Sequence, residues 1–220
     1  MRPDPVIPAF DEERCGHYLE GNEGAPPREQ LMAALAMPWD ERAPRRAIDV
    51  GCGPGREVEA LVARGFAVTA VDPYARMLEM VRARVAGSVG AARVEFVHTT
   101  LEEHAPRLET AAFGLVHAGF ALPFVVPAAF DAAFADLRRA LAPGGLLVAQ
   151  FFGPHDEFLH SSPAGSLSVH DHAAVRGLLA GMEVLAHDEV RRDGRMGRGR
   201  AKHWHVHHVI ARASAPCGGG

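Results

Sequence analysis

Apolar positions along the chain change their period several times, and the changes mark out its elements. Ahead of residue 28 no period is sustained. Residues 1–27 are rich in Pro, Gly and Glu and read as an irregular arm with one short helix over 10–19. Residues 28–37 have helical spacing, which Pro38 stops. From residue 46 short apolar runs alternate with helical patterns. Strands are expected at 46–50, 66–71, 93–98, 112–117 and 146–152. Between them, residues 56–64 read as a helix, as do 73–86, with Pro73 in the first turn and Met77, Leu78, Val81 and Val85 on one face. A longer helix over 127–141 aligns Phe130, Phe134, Leu137 and Leu141. Pro143-Gly144-Gly145 reads as a turn and 153–169 as a long loop. A helix over 170–180 has Asp171 as its N-cap. Two last strands, 183–191 and 203–213, flank a connection rich in Gly and Arg, and 214–220 is expected to be a mobile tail.

Strand and helix in repeated alternation imply one mainly parallel sheet covered by helices on both faces. The connection between the last two strands has no room for a crossover helix, so they pair antiparallel. The expected organisation is an arm, 1–27, as a candidate lid, followed by one α/β domain over 28–213, with no internal repeat.

Composition changes this picture little. The chain has 220 residues, 48% hydrophobic and 23% charged, which is ordinary globular usage. A net charge of -4 gives no reason to expect nucleic acid or an anionic membrane as partner. Cys15, Cys52 and Cys217 are odd in number and far apart, which is neither a disulfide framework nor a zinc spacing and fits a reducing compartment. Residues 1–10 lack the basic and apolar segments of a signal peptide, and no apolar run is long enough to span a bilayer. The expectation is a cytoplasmic protein, monomer or homodimer.

The strongest chemical signal is Asp49-Val50-Gly51-Cys52-Gly53-Pro54-Gly55, three alternate glycines between a buried strand and a helix. Glycine there lets the chain turn sharply and brings backbone close to a ligand with no Cβ in the way. The helix that follows presents unpaired N–H groups. Asp72 ends the second strand, 21 positions after Gly51, a distance that brings an acid to the ribose hydroxyls of an adenosine ligand. Asp49 can orient the loop or reach a ligand's ammonium group through water. The dinucleotide fingerprint G-x-G-x-x-G needs a third glycine where this chain has Arg56, which argues against a dinucleotide.

These residues resemble the class I S-adenosylmethionine (SAM)-dependent methyltransferases. Asp49 to Gly55 is similar to their first motif, Asp72 to their ribose-binding acid, and Leu141-Ala142-Pro143-Gly144-Gly145-Leu146 to the turn before their fifth strand. The resemblance covers about residues 28–213. It implies a Rossmann-like, doubly wound seven-stranded sheet of order 3-2-1-4-5-7-6, with the last-inserted strand antiparallel, and SAM as methyl donor. Gly55-Arg56-Glu57, Phe120-Ala121-Leu122-Pro123-Phe124 and Lys202-His203-Trp204-His205-Val206 also resemble small methyltransferases near the tellurite-resistance and thiopurine enzymes. By resemblance, SAM would contact Asp49, Gly51, Cys52, Gly53, Pro54, Gly55, Arg56, Asp72, Pro73 and Met77. Thr100, Leu101 and Glu102 stand where the family has its adenine-binding acid. His117, Ala118 and Gly119 would lie against the methionine part, and Arg28 is a candidate for its carboxylate.

The implied reaction is methyl transfer to a small-molecule acceptor, driven by proximity and alignment. Two other readings stay open: a non-catalytic SAM-binding regulator and an NAD-dependent oxidoreductase. The acceptor pocket is expected at the carboxyl ends of the fourth and fifth strands. Phe120, Phe124, Phe152 and Tyr18 are its candidate lining, suited to an apolar or cationic acceptor, while Phe151 reads as core. His155, in a loop after Gly153-Pro154, is the candidate general base. His203, His205 and His207 share one strand face with no evident carboxylate or cysteine partner on a neighbouring strand, so no metal is assigned. The basic stretch of Arg191, Arg192, Arg195, Arg198, Arg200 and Lys202 reads as a solvated connection.

Overall fold

The computed structural model describes residues 4–21, 24–196 and 199–214. Most of the tail and Arg198 therefore lie outside the described residues. The seven strands are β1 (Arg46–Val50), β2 (Ala67–Asp72), β3 (Val94–His98), β4 (Phe113–Ala118), β5 (Leu141–Phe152), β6 (Met182–Arg195) and β7 (Ala201–Ala213). They form one sheet in the order β3-β2-β1-β4-β5-β7-β6. Pairs from β3 to β5 are parallel, and β7 runs antiparallel to both β5 and β6. Class and topology are those the sequence and its resemblance implied.

Helices α1 (Glu12–Gly21), α2 (Glu29–Ala36), α3 (Arg56–Ala63), α4 (Ala75–Val85), α5 (Leu101–His104), α6 (Pro127–Ala140), α7 (Phe158–Ser161) and α8 (His172–Leu178) cover the sheet, with short 3-10 turns between some of the elements. Alternation along each strand sends side chains to two cores. Ala47, Val68, Ala70 and Leu115 pack with Leu31, Val58, Leu61 and Val81, from α2, α3 and α4. Ile48, Val116, Leu147 and Phe151 pack on the other face with Phe130, Phe134 and Leu137 of α6 and Val175 of α8. Phe151 is core, as expected.

Several boundaries differ from the sequence reading. The first helix lies at Glu12–Gly21, not 10–19. α4 starts at Ala75 because the Asp72 carboxylate accepts the Tyr74 N–H at 2.9 Å, holding Pro73 and Tyr74 out of the helix. The Pro143-Gly144-Gly145 turn sits inside β5: Leu141 pairs Phe113, the register shifts, and Leu146 pairs Leu115. Pro143 has no N–H to donate, and a bulge absorbs the break. The segment 153–169 is interrupted by α7, and α8 spans only His172–Leu178. β6 and β7 run further than their apolar patterns, because ladder hydrogen bonds do not depend on side-chain polarity: Asp193 still pairs His203.

Candidate active site

The strand order reverses between β1 and β4, and that is where open α/β sheets place their ligands. A cavity of about 520 Å³ lies there, within the range of small-molecule sites.

One side is the glycine loop. After β1 the chain turns through Gly51, Gly53 and Gly55, all at positive φ, and Gly55 caps α3 at φ 83°. A Cβ on Gly51 would lie 2.7 Å from the Ala121 Cβ, and one on Gly55 would lie 2.8 Å from Val81 Cγ2. Only glycine fits both the backbone and the space. Asp72 ties the loop to β2: one carboxylate oxygen accepts Gly53 N–H at 2.9 Å, the other Tyr74 N–H at 2.9 Å. A carboxylate has about four lone-pair positions, so each oxygen keeps one for a ligand. Burial raises the Asp72 carboxyl to about 7, against the pull of those two N–H groups.

Gly51, Gly53, Asp72, Pro73, Met77, Thr100, Leu101, Glu102, Gly119 and Arg28 all line the cavity. Asp49, Cys52, Pro54, Gly55, Arg56 and Ala118 do not line it. Each has another part in the structure. Arg56 is buried and its Nε donates to Glu57 at 2.9 Å. Cys52 is buried in the loop, and burial pushes its thiol well above the usual range. Asp49 accepts from or donates to His117 Nδ1 across 2.6 Å, behind the wall. Burial raises the Asp49 carboxyl, with His117 opposing. Asp49 Oδ2 and His117 Nε2 are buried with no partner among the described residues. A Cβ on Gly119 would stand 3.0 Å from that Nε2 and 3.1 Å from Arg28 Nε. These atoms make a polar corner beside Gly119.

Thr100 caps α5 by accepting Glu103 N–H at 3.3 Å, and Glu102 accepts Val126 N–H at 3.1 Å. Glu102 lines the cavity together with Thr100 and Leu101.

The other side is aromatic. Phe120, Phe124, Phe152 and Tyr18 line it. Phe120 has φ 58°, a left-handed backbone that costs a bulky residue about 1–2 kcal/mol. Its ring is held between the Arg28 guanidinium, 4.6 Å away, and Trp204, 6.1 Å away. Residues absent from the sequence reading complete the wall: Phe10 from the arm, Tyr74, Phe158 of α7 and Trp204 of β7. Trp204 stands in the resembling stretch 202–206, which was the available signal. Behind it, the Lys202 ammonium lies 3.5 Å from the Trp204 ring centre and 2.6 Å from Asp156 Oδ1. Burial pulls this amine down to about 8, against the Asp156 carboxylate.

The arm packs on the cavity. Ile7, Phe10, Arg14, His17 and Tyr18 line it, Tyr74 Oη donates to the Phe10 carbonyl, and Ala75 N–H donates to Asp4 at 3.0 Å.

Three expectations are corrected. His155 is exposed, does not line the cavity, and stacks on His205 at 5.4 Å. The basic stretch is not merely solvated, since Arg195 and Arg200 reach the cavity mouth. With Arg14 and Arg28 they outnumber Asp72 and Glu102 in the lining of the cavity. The last-strand histidines do have a carboxylate partner: Glu189 of β6 contacts His205 Nε2 at 2.9 Å.

Residues 47–145 match the profile of a family described as a methyltransferase domain. A trans-aconitate 2-methyltransferase of Acidovorax sp. is 34% identical over 131 residues, 59% of this chain and 45% of that protein. The match thus spans about half the length of the curated relative. TehB from Haemophilus influenzae has a similar fold, with TM-score 0.70 and 13% identity, over 90% of this chain and 66% of its own. The N-methyltransferase NodS from Bradyrhizobium japonicum, solved with S-adenosyl-L-homocysteine (SAH), superposes with TM-score 0.67 and 14% identity, over 94% of this chain and 100% of its own. The methyltransferase-domain match thus covers residues 47–145, and the sheet order is the one that the class I SAM-dependent resemblance implied. No helix among the described residues is long and apolar enough to cross a membrane.

Proposed function

We propose that the chain is a SAM-dependent methyltransferase whose acceptor is a small molecule with an apolar body and an acidic group. The observation that carries this reading is the division of one cavity between Asp72 with the glycine loop and an aromatic wall edged by arginines. The residues fit SAM on three counts. Asp72 keeps acceptor capacity for two ribose hydroxyls. Thr100, Leu101 and Glu102 offer polar groups to an adenine. The buried corner of Asp49, His117, Gly119 and Arg28 has unpaired polar atoms for a charged amino-acid end. The same corner supports SAM over NAD.

When bound, SAM supplies a methyl group already activated on its sulfonium. The chain's part is to hold the two partners in line and keep water out. Asp72 and the glycine loop fix the nucleoside, Arg28 and Gly119 fix the amino-acid end, and Phe120, Phe124, Phe152 and Trp204 dry and shape the acceptor space. Arg195 and Arg200 at the mouth draw an anionic group inward. A carboxylate acceptor is ionised at neutral pH and has no proton to lose, so no general base is required, in keeping with His155 outside the cavity. Five of the matching curated relatives are named for trans-aconitate, a carboxylate, which supports this class of acceptor. The arm over residues 4–21 serves as a cover of the site.

Calorimetry with SAM, SAH and NAD in parallel tests the cofactor. Transfer of labelled methyl from SAM to a panel of small carboxylic acids and their amides tests the acceptor. SAM and SAH binding with label on the acids is the expected result. NAD binding with SAM silent would overturn the reading in favour of an oxidoreductase. SAM binding with no turnover on any acceptor would favour a regulatory binder.

A further inference from the structure

On the face of the β6–β7 ribbon opposite Trp204, four histidines and a carboxylate come together. His187 and Glu189 are two apart on β6, His205 and His207 two apart on β7, and the ladder sets Glu189 against His207. His172, the first residue of α8, joins them from the side. His172 and His187 stack at 4.6 Å. His187 Nε2 faces His207 Nδ1 across 3.1 Å, and His207 is 0% exposed. His207 Nε2 and His187 Nδ1 are buried with no partner among the described residues.

We propose that His172, His187 and His207 form a binding site for a divalent transition metal of the zinc class. Each ring offers one nitrogen, and the three lie within 4.8 Å of one another. Nitrogens around tetrahedral zinc, bonded at roughly 2.0–2.1 Å, stand about 3.3 Å apart, so small side-chain rotations close the set. Imidazole donors select zinc-like ions over magnesium and calcium, which prefer oxygen. Glu189 holds the rings from outside: Oε2 is 2.9 Å from His172 Nδ1 and Oε1 is 2.9 Å from His205 Nε2. A carboxylate on a ligating imidazole fixes its tautomer and orientation. The His172 side chain is 57% exposed, which gives an ion its entry, while two ligands lie deeper. The bound ion fastens the start of α8 to two strands, and three protein ligands leave the fourth position to water. The site is separate from the cavity and does not depend on the methyltransferase reading.

The test uses the tag-free full chain, stripped with a chelator and titrated with zinc chloride by calorimetry, with thermal unfolding in parallel. The expected result is about one zinc per chain and a raised Tm, with no response to magnesium chloride. His172→Ala, at an exposed position, and His187→Ala, at a half-buried one, should each weaken zinc by about tenfold or more while retaining the far-UV spectrum of the parent. His160→Ala, at an exposed histidine elsewhere, should bind zinc as the parent does. Absence of saturable uptake would overturn the proposal. So would undiminished uptake in both variants, or loss only on His205→Ala.

Discussion

The glycine-loop side of the cavity is made of backbone, and the facing side is made of rings. On the first, one continuous stretch from β1 to α3, with Asp72 from the adjacent strand, fixes the geometry through two N–H···carboxylate bonds and glycines that no other residue can replace. On the second, Phe10, Phe120, Phe152, Phe158 and Trp204 arrive from five separate segments and are joined through ring packing, in part by way of Phe124. Hydrogen bonds from loop backbone to a buried carboxylate tolerate little change, whereas aromatic contacts can be re-formed with other shapes. The first side therefore suits an invariant ligand and the second a variable one.

If this division holds, changes on one side should leave the other side's binding intact. The largest effect is expected from Asp72→Ala, which removes the acceptor of two ribose hydroxyls. SAH affinity should fall by about 1000-fold, read by calorimetry, at about 1.5–3 kcal/mol per hydrogen bond to a charged group. A loss below tenfold would mean that the loop, not the acid, holds the nucleoside. Next, Trp204→Ala should lower kcat/KM for the acceptor by about 100-fold, equivalent to about 2.7 kcal/mol, while SAH Kd stays within about twofold. A parallel loss of SAH binding would show that the two sides act as one.

The third effect is a pH dependence confined to the cofactor side. The Asp72 carboxyl, raised to about 7 by burial, keeps its proton below that value in the empty site. Ribose hydroxyls donate to the ionised form, so affinity should rise as pH rises through about 7 and level off above it. At pH 6 about a tenth of the groups are ionised, which predicts SAH binding about tenfold weaker than at pH 8. Trp204→Ala should keep this profile. The smallest effect is at the mouth. Arg195→Ala and Arg200→Ala, both exposed, should each raise KM for an anionic acceptor about threefold in low salt, with less difference in high salt. An unchanged KM at low salt would remove the arginines from acceptor capture.

The same contrast explains what could be read from residues alone. The glycine loop and Asp72 were legible because strand, turn, helix and acid are close in sequence and each demands its residue type. Tyr18, Phe120, Phe124 and Phe152 were legible only as apolar residues near the expected strand ends. Trp204, Arg195 and Arg200 were not, because their place depends on how far the β6–β7 ladder runs beyond its apolar pattern. His155 looked like a base because it follows a strand end, but the chain after Gly153 carries it to the outer surface, against His205. The Glu189 partner of the histidines was hidden for a similar reason. Which residues face each other on β6 and β7 is set at the hairpin end, where Arg195 pairs Ala201, and no local pattern announces it.

Cys52 sits in the middle of the glycine loop with its side chain turned inward, and burial keeps its sulfur protonated. Thiols react as thiolates with reagents that arrive from solvent, so this one is shielded twice while the loop stays folded. It is thereby a silent reporter built into the cofactor side. Maleimide labelling localised to Cys52 by mass spectrometry would count the molecules whose loop has opened, and a bound nucleoside should slow that clock without touching the sulfur.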